Sequence, residues 1–217
     1  MSQAEPISKC DARRSFLLDV AAELYLERGY DGLELDEIIE RAGGSRRNVD
    51  DVFGGREGIF IASISRLCSE LINPLEGVVV PHDTPESNLM RLGEHISELS
   101  RDTKTLALHR LMIAEAVRFP ELSQTIYHFG RGRGVGAVEA IIEQNRNRLN
   151  EPFQKISSLS LAEMFFCLII NETEVQALIR VNREAQKSDN IDEMVRSAVT
   201  LFIKGTFQKD QANESCQ

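Results

Sequence analysis

The sequence lacks a long apolar run, an opening leader and an excess of basic residues, and each absence excludes a class of protein. No run of about 18 apolar residues occurs, so no membrane-spanning helix and no membrane partner are predicted. No basic segment followed by an apolar one opens the chain, which favours a cytoplasmic location. The formal net charge is −9, so bulk positive charge does not draw the chain to nucleic acid.

The sequence also lacks the usual motifs of enzymes and metal sites. Its four histidines include no HExxH motif and no close pair, and no serine lies in a GxSxG motif. The four cysteines have no spacing that suits a metal, and we expect the middle two to pack in the core; they are Cys10, Cys68, Cys167 and Cys216. We therefore predict no catalytic activity, no metal and no cofactor.

Four glycines alternate with other residues in FGRGRGVG, residues 129–136, and mimic a phosphate-binding loop. A dinucleotide-binding loop of this kind follows a β-strand in a βαβ unit. No alternating strand pattern precedes these glycines in the sequence. We therefore interpret them as a break between two helices.

Helical periodicity extends through almost the whole chain, which predicts an all-α fold. A first helix has apolar residues at helical spacing from Leu17 to Tyr25 and ends at Gly29. Residues 78–87 contain two prolines and form the clearest interior linker. The later helices are predicted near residues 56–75, 86–100, 103–117, 121–129, 135–149, 159–185 and 191–207.

Residues 37–58, EIIERAGGSRRNVDDVFGGREG, predict two short helices joined by a glycine turn and followed by the start of another helix. Ile38 and Ala42 lie on the buried side of the first short helix. Gly43 and Gly44 end it. This arrangement is a helix-turn-helix, which favours DNA binding.

The second short helix offers its first turn as a reading surface. Ser45 is a good N-cap, because its hydroxyl accepts from a free amide of the next turn. Val49, Val52 and Phe53 form the predicted inward side. The outward side, with Asn48 in the first turn, carries Arg46, Arg47, Asp50 and Asp51. Arginine in this position can donate two hydrogen bonds to a guanine edge in the major groove.

Five short motifs lie in order along residues 13–60. They are RGY at 28–30, DEI at 36–38, RAG at 41–43, the pair Ser45 and Arg46, and FG with EG inside 53–58. Together they resemble the N-terminal domain of the TetR family of bacterial transcriptional regulators. The resemblance implies a flexible tail at 1–9, a DNA-binding head at 10–58, a helical effector-binding and dimerisation body at 59–208, and a flexible tail at 209–217.

The resemblance implies contacts with a double-stranded DNA operator through Arg14, Ser45, Arg46, Arg47, Asn48, Asp50, Asp51 and Arg56. Arg56 stands where the family usually has a phosphate-contacting lysine. The chain departs from the family at Glu34, Asp50 and Asp51, where neutral donors are usual. Residues 9–58 hold eight Lys and Arg against twelve Asp and Glu, so these carboxylates oppose phosphate binding. Alternatively, the arginines form only a solvated face paired with neighbouring carboxylates.

The last two predicted helices are apolar on more than one side and need cover from two directions. In the family that this chain resembles, the two C-terminal helices pack against their copies in a four-helix homodimer interface. The candidates for that interface are Phe166, Ile170, Met194, Ala198 and Phe202. The alternative is that these helices are buried in the core of a monomer.

Residues 109–129 resemble the body of the multidrug-pump repressors of this family, which sense small molecules in a pocket. Such a pocket needs apolar walls and a few polar anchors. The candidates for contact with a small-molecule effector are His109, Met112, Phe119, Phe129, Phe165, Phe166 and Asn171. For each of them, ordinary core packing is the alternative.

The resemblance therefore implies a homodimeric regulator, usually a repressor, that a small-molecule effector releases from a near-palindromic operator. The predicted fourth helix joins the head to the body and is the proposed lever for that release. A rival hypothesis from another class is a helical ligand- or protein-binding dimer whose head has weak or lost DNA affinity. Glu34, Asp50 and Asp51 permit this rival.

Overall fold

The computed structural model of the protein describes residues 9–72, 78–80, 83–179 and 188–208. Side chains are described in these ranges except at 9, 10, 72, 171–177 and 188–191. Both predicted tails lie almost wholly outside the described residues, and the predicted linker at 78–87 is described only in part.

The described residues form ten α-helices and no strand, which confirms the predicted all-α class. An isolated bridge joins Leu149 to Phe207, and a 3-10 turn spans Arg146–Arg148. The helices are α1 (Lys9–Arg28), α2 (Leu35–Ala42), α3 (Arg46–Phe53), α4 (Arg56–Ile72), α5 (Pro85–Arg101), α6 (Thr103–Glu115), α7 (Pro120–Gln144), α8 (Glu151–Gln154), α9 (Ser158–Leu178) and α10 (Ser188–Thr206). None of these described helices is both long enough and apolar enough to cross a bilayer.

The chain divides into two compact units. The first unit combines Met1–Leu71 with Ala107–Ile126, and the second combines Ile72–Leu106 with Tyr127–Gln217. The end of α6 and the start of α7 therefore belong to the same unit as the helix-turn-helix. The sequence placed those residues in the body, because nothing local links them to a segment so far away in the chain.

The helix boundaries in the first unit follow the local sequence closely. Gly29 and Gly43 both have positive φ, and their N–H groups donate to Tyr25 and Ile39 to end α1 and α2. Ser45 caps α3 by accepting a hydrogen bond from the Asn48 N–H at 3.3 Å. These observations confirm the predicted turn and cap.

The inward side of α3 is narrower than predicted. Val49 is buried, but Val52 is 46% exposed, so its predicted burial is wrong. The helix is only eight residues long, and Val49 is its buried residue. Phe53, one turn on, is half-buried, and the Arg14 guanidinium lies 5.3 Å from its ring centroid.

Four aromatic rings form the centre of the first unit. Tyr25 and Tyr30 come from α1 and the turn after it, Phe60 comes from α4, and Phe119 precedes α7. The Phe119 ring centroid lies 4.9 Å from that of Tyr30 and 4.8 Å from that of Phe60. Phe60 also meets Tyr25 edge to face at 4.8 Å. The connection between α6 and α7, residues 116–119, is here called the α6–α7 joint, and it is thus part of the core of the first unit.

The second unit is built around α5, which packs against α9 and α10. Gly93 permits the close approach, since a Cβ at this position would lie 3.1 Å from Val195 and 3.2 Å from Ile169. Phe165 and Phe202 pack edge to face at 5.1 Å in the same core. The predicted burial of the last two helices is therefore satisfied in large part within one protomer.

The predicted helix break at the alternating glycines is wrong, because α7 runs without interruption through residues 129–136. A Cβ at Gly134 would lie 2.6 Å from Cε2 of Phe166 on α9, so glycine here allows the two helices to approach closely. Gly132 has nothing within 4 Å of the equivalent position. Packing, which the sequence does not display, outweighs the low helix propensity of glycine.

We expect opposite effects from alanine at these two glycines. Gly132→Ala should raise the free energy of unfolding by about 0.5–1 kcal/mol, because alanine favours the helix and the site is open. Gly134→Ala should lower it by about 1 kcal/mol or more, since the methyl group displaces the Phe166 ring. Urea unfolding of both variants checks the signs, and two stabilising changes would contradict the packing role of Gly134.

The two middle cysteines have different environments. Cys68 is buried as predicted, and burial raises the pKa of its thiol to about 11, so it stays protonated. Cys167 is exposed, so its predicted core position is wrong. It lies on the side of α9 that also exposes Met164 and Leu168, away from the buried Phe165 and Phe166.

Candidate nucleic-acid interface

The first turn of α3 is presented to solvent by the turn that precedes it. The Ser45 cap fixes the start of the helix, and Gly54 ends it in a left-handed conformation. Arg46, Arg47 and Asn48 are all exposed in this turn. The N-terminal end of a recognition helix is the part that meets base edges in the major groove. The geometry therefore suits contact with DNA.

Both arginines in this turn lie near carboxylates. The Arg47 Nε is 3.7 Å from Asp51 Oδ2, one turn later on α3. The Arg46 Nε is 3.5 Å from Asp36 Oδ1, on α2. Such exposed pairs are worth little in stability and break easily when a better partner arrives. In the free protein, Arg46 and Arg47 thus form a solvated face paired with carboxylates, as in the alternative above. This pairing does not exclude DNA contact.

Arg56 contacts Tyr30 and Glu34 within the first unit. Its guanidinium carbon lies 4.5 Å from the centroid of the Tyr30 ring, and its Nη2 donates a hydrogen bond to the Tyr30 carbonyl. Its Nη1 is 3.9 Å from Glu34. The phosphate contact expected of Arg56 stays a prediction, and any such contact would compete with these bonds.

The remaining candidates surround α3. Asp50 is exposed, and its backbone carbonyl accepts from the Gly54 N–H at 3.0 Å. Arg14 is exposed on α1 and stacks on Phe53 at the far end of α3. At the start of α2, the Glu34 N–H and Arg28 both donate to Glu37 and lower the pKa of its carboxyl. The acidic start of α2 is therefore held as a charged group close to the reading helix.

Sequence reasoning missed a second arginine contact in the first unit, between Arg118 and Asp31. Arg118 donates to both oxygens of Asp31, at 2.6 Å from Nη1 and 3.0 Å from Nη2. Its guanidinium also lies 5.0 Å from the Tyr30 ring centroid. Arg118 and Asp31 are 87 residues apart, and no sequence pattern connects them. They hold the α6–α7 joint to the turn between α1 and α2.

The Asp31–Arg118 pair should make stability depend on acid pH. The hydrogen bonds from Arg118 hold the pKa of the Asp31 carboxyl below its ordinary value of 3.8. Its contribution is therefore full above 3.8 and is lost as pH falls through the lower, folded pKa. Asp31→Asn should lower Tm slightly at neutral pH, and the gap should close in strong acid. Thermal unfolding followed by circular dichroism from neutral pH to strong acid measures the Tm difference between the two proteins. A difference that widens in acid would contradict this role of Asp31.

The structure divides the predicted effector-contacting residues between the two units. His109, Met112 and Phe119 belong to the first unit, where Met112 and Phe119 are buried. Phe129, Phe165 and Phe166 belong to the second unit. Asn171 lies on α9, but its side chain is outside the described residues. Of these three phenylalanines, only Phe129 is exposed, and the Arg133 guanidinium lies 4.9 Å from its ring centroid.

The predicted dimer residues lie mainly on the inner sides of α9 and α10. Phe166 and Phe202 are buried in the core of their own protomer. Ile170, Met194 and Ala198 are half-buried. The large apolar side chains that these helices expose are different: Leu159, Met164, Leu168 and Leu201. The dimer contacts expected of the five predicted residues stay a prediction, because the apolar stripe of the sequence does not separate the side facing the protomer core from the outer side.

Comparison with known families identifies the chain. A family described as "Bacterial regulatory proteins, tetR family" matches residues 17–63, which contain the helix-turn-helix. A second, described as "AefR-like transcriptional repressor, C-terminal domain", matches residues 87–205. The chain belongs to the TetR family. This family membership and the all-α fold confirm the resemblance seen in the sequence.

Two solved structures and one curated relative illustrate what the chain is similar to. A TetR-family transcriptional regulator of Mesorhizobium loti MAFF303099 superposes with a TM-score of 0.81 at 20% identity, over 93% of this chain and 100% of that one. The flavonoid-responsive regulator FrrA gives 0.76 at 19% identity, over 92% and 99%. The transcriptional activator FasR of Mycolicibacterium smegmatis is 33% identical over 82 residues, 38% of this chain and 36% of its own length. The chain thus aligns with only about a third of that curated relative.

Proposed function

We propose that this TetR-family protein binds a near-palindromic DNA operator and regulates transcription, in the cytoplasm of a bacterium. The single observation that carries the proposal is α3, capped by Ser45 and exposing Arg46 and Arg47 directly after a tight glycine turn. Arginines in this turn reach the O6 and N7 acceptors of guanine. The match of residues 17–63 to the TetR-family head supports the same assignment.

A homodimer is part of the proposal. One head reads one half-site, and tight binding to a near-palindrome needs two heads about one helical turn of DNA apart. The partner would cover the apolar side chains that α9 and α10 expose, namely Leu159, Met164, Leu168 and Leu201. Met164 and Leu168 are exposed one turn apart on α9, and such neighbouring exposed apolar side chains favour an interaction surface over scattered surface residues.

We further propose repression that a small-molecule effector relieves. The match over residues 87–205 is to a repressor domain, which favours repression over activation. FrrA, a fold relative, is described as flavonoid-responsive, which is compatible with an apolar effector here. An effector can release DNA only by its difference in affinity between the two dimer states, commonly about 1–3 kcal/mol of coupling. The α4 helix, which begins beside the reading helix, is the proposed lever.

The first experiment is selection of genomic fragments by the purified protein, followed by fluorescence anisotropy on the enriched site. We expect a near-palindromic site bound at least about 10³-fold more tightly than random DNA. Arg46→Ala and Arg47→Ala should relax base preference. The control is Phe16→Ala, which changes an exposed side chain on α1 and should leave base preference unchanged. If a folded, dimeric protein enriches no site even at low salt, the proposed function fails.

A second candidate is a helical sensor or protein-binding dimer without DNA affinity. The carboxylates near Arg46 and Arg47 and the excess of acidic residues in the head favour it. The double variant Asp50→Tyr, Asp51→Tyr separates the two candidates. Tight binding that appears only in this variant would favour a head that has lost DNA affinity. Loss of an existing site preference would show that the aspartates help to read DNA.

A further inference from the structure

The exposed side of α3 carries equal numbers of opposite charges. Its reading face consists of Arg46, Arg47, Asp50 and Asp51, two guanidinium groups and two carboxylates. Arg47 and Asp51 form an i, i+4 pair at 3.7 Å. The reading face therefore has no net charge, so it gains little from phosphates in general.

A carboxylate on a recognition helix restricts what that helix can contact. Near a phosphate it costs binding energy on every sequence alike. At a base edge it is favourable only opposite an amino group, and cytosine N4 is the donor that Asp and Glu typically accept from in the major groove. A carboxylate on the reading face thus either weakens all binding or selects a base that offers an amino group, for which cytosine is the usual partner.

The spacing of Arg47 and Asp51 matches neighbouring base pairs. Four residues along a helix advance about 6 Å, because the rise is about 1.5 Å per residue. Base pairs repeat about every 3.4 Å, so these two side chains address pairs one or two steps apart. Asp51, and not Asp50, is the carboxylate that lies beside Arg47 in the free protein.

Resting on the DNA-binding function proposed above, we propose that Asp51 is a specificity-determining residue. It accepts a hydrogen bond from cytosine N4, one or two steps from the guanine to which Arg47 donates. In the free protein the same carboxylate lies 3.7 Å from Arg47 and lowers the positive potential that random phosphates meet. The cognate site then offers a hydrogen-bond partner to both Asp51 and Arg47, whereas random DNA offers one to Arg47 alone.

The test is site selection with the wild-type protein, Asp51→Asn and a matched control, Glu40→Gln. Asp51 and Glu40 are both exposed, so each change removes one negative charge, but Glu40 lies on α2. We expect Asp51→Asn to reduce the cytosine preference at one pair of each half-site by roughly 5-fold or more in favour of adenine, because an amide pairs with adenine N6 and N7, with other positions kept. The Glu40→Gln motif should equal the wild-type motif.

Two results would overturn the inference, and they are distinguishable. If Asp51→Asn keeps every base preference and binds all DNA more tightly, random DNA included, the carboxylate only repels phosphates. The salt dependence of binding would steepen in that case. If the wild-type protein itself enriches no site, the proposed function fails and this inference fails with it. Circular dichroism of each variant verifies that the head is folded.

Discussion

Replacing Phe119 with alanine should lower the free energy of unfolding of the first unit by about 3–5 kcal/mol, the usual cost of removing a buried aromatic ring. The side chain is only 6% exposed and contacts the rings of Tyr30 and Phe60. Without it, α1 and α4 lose the ring that joins them to the α6–α7 joint. Thermal unfolding should show Tm falling by more than about 10 °C.

The matched control for Phe119→Ala is Phe16→Ala in the same unit. Phe16 is 53% exposed on α1, so removing its ring leaves no cavity and should change stability by less than about 1 kcal/mol. If the two variants lose the same stability, Phe119 is not a core residue of the first unit. Operator affinity measured well below Tm should change little in both variants, because neither side chain lies on the reading face.

The double variant Met164→Glu, Leu168→Glu should abolish the homodimer. Both side chains are exposed one turn apart on α9, and a carboxylate at each would be desolvated in an apolar interface. Losing the second head removes the gain of bivalent binding, so operator affinity should fall by at least about 10²-fold. Sedimentation velocity and fluorescence anisotropy measure the two effects on one sample.

The dimer prediction also has an internal control. Ile113→Glu introduces the same charge at an exposed apolar position on α6, outside the proposed interface. It should stay dimeric and keep its operator affinity. If the α9 double variant remains a dimer, the interface lies elsewhere on the protein, and the exposed side chains of α9 need another explanation.

Local signals made the helix-turn-helix predictable. Gly43, Ser45 and Gly54 set the ends of α2 and α3 through backbone conformation and caps, which depend on residues within one helical turn. Apolar spacing identified α10 to within a few residues of its observed ends. The glycines of α7 misled the prediction for the opposite reason, because Gly134 makes room for Phe166 of α9, which lies 32 positions later in the chain.

The contacts that side chains make within the protomer were less predictable than the helices that carry them. The phosphate contact of Arg56 stays a prediction, and the sequence contains no signal that its guanidinium stacks on Tyr30 in the free protein. The apolar stripe of α10 pointed to Phe202, which is buried in its own protomer, while Leu201 is the residue exposed. Which side of a helix faces solvent depends on what packs against it, and one sequence does not contain that information.

The sequence by itself determined the all-α class, the family and the capped reading helix, because caps, glycine turns and helical periodicity act over a few residues. Only the tertiary structure decided that the α6–α7 joint belongs to the first unit. The bonds that place it there are Arg118 to Asp31 and the packing of Phe119 on Tyr30 and Phe60. They join residues 59 to 89 positions apart, and such contacts form only when the chain folds.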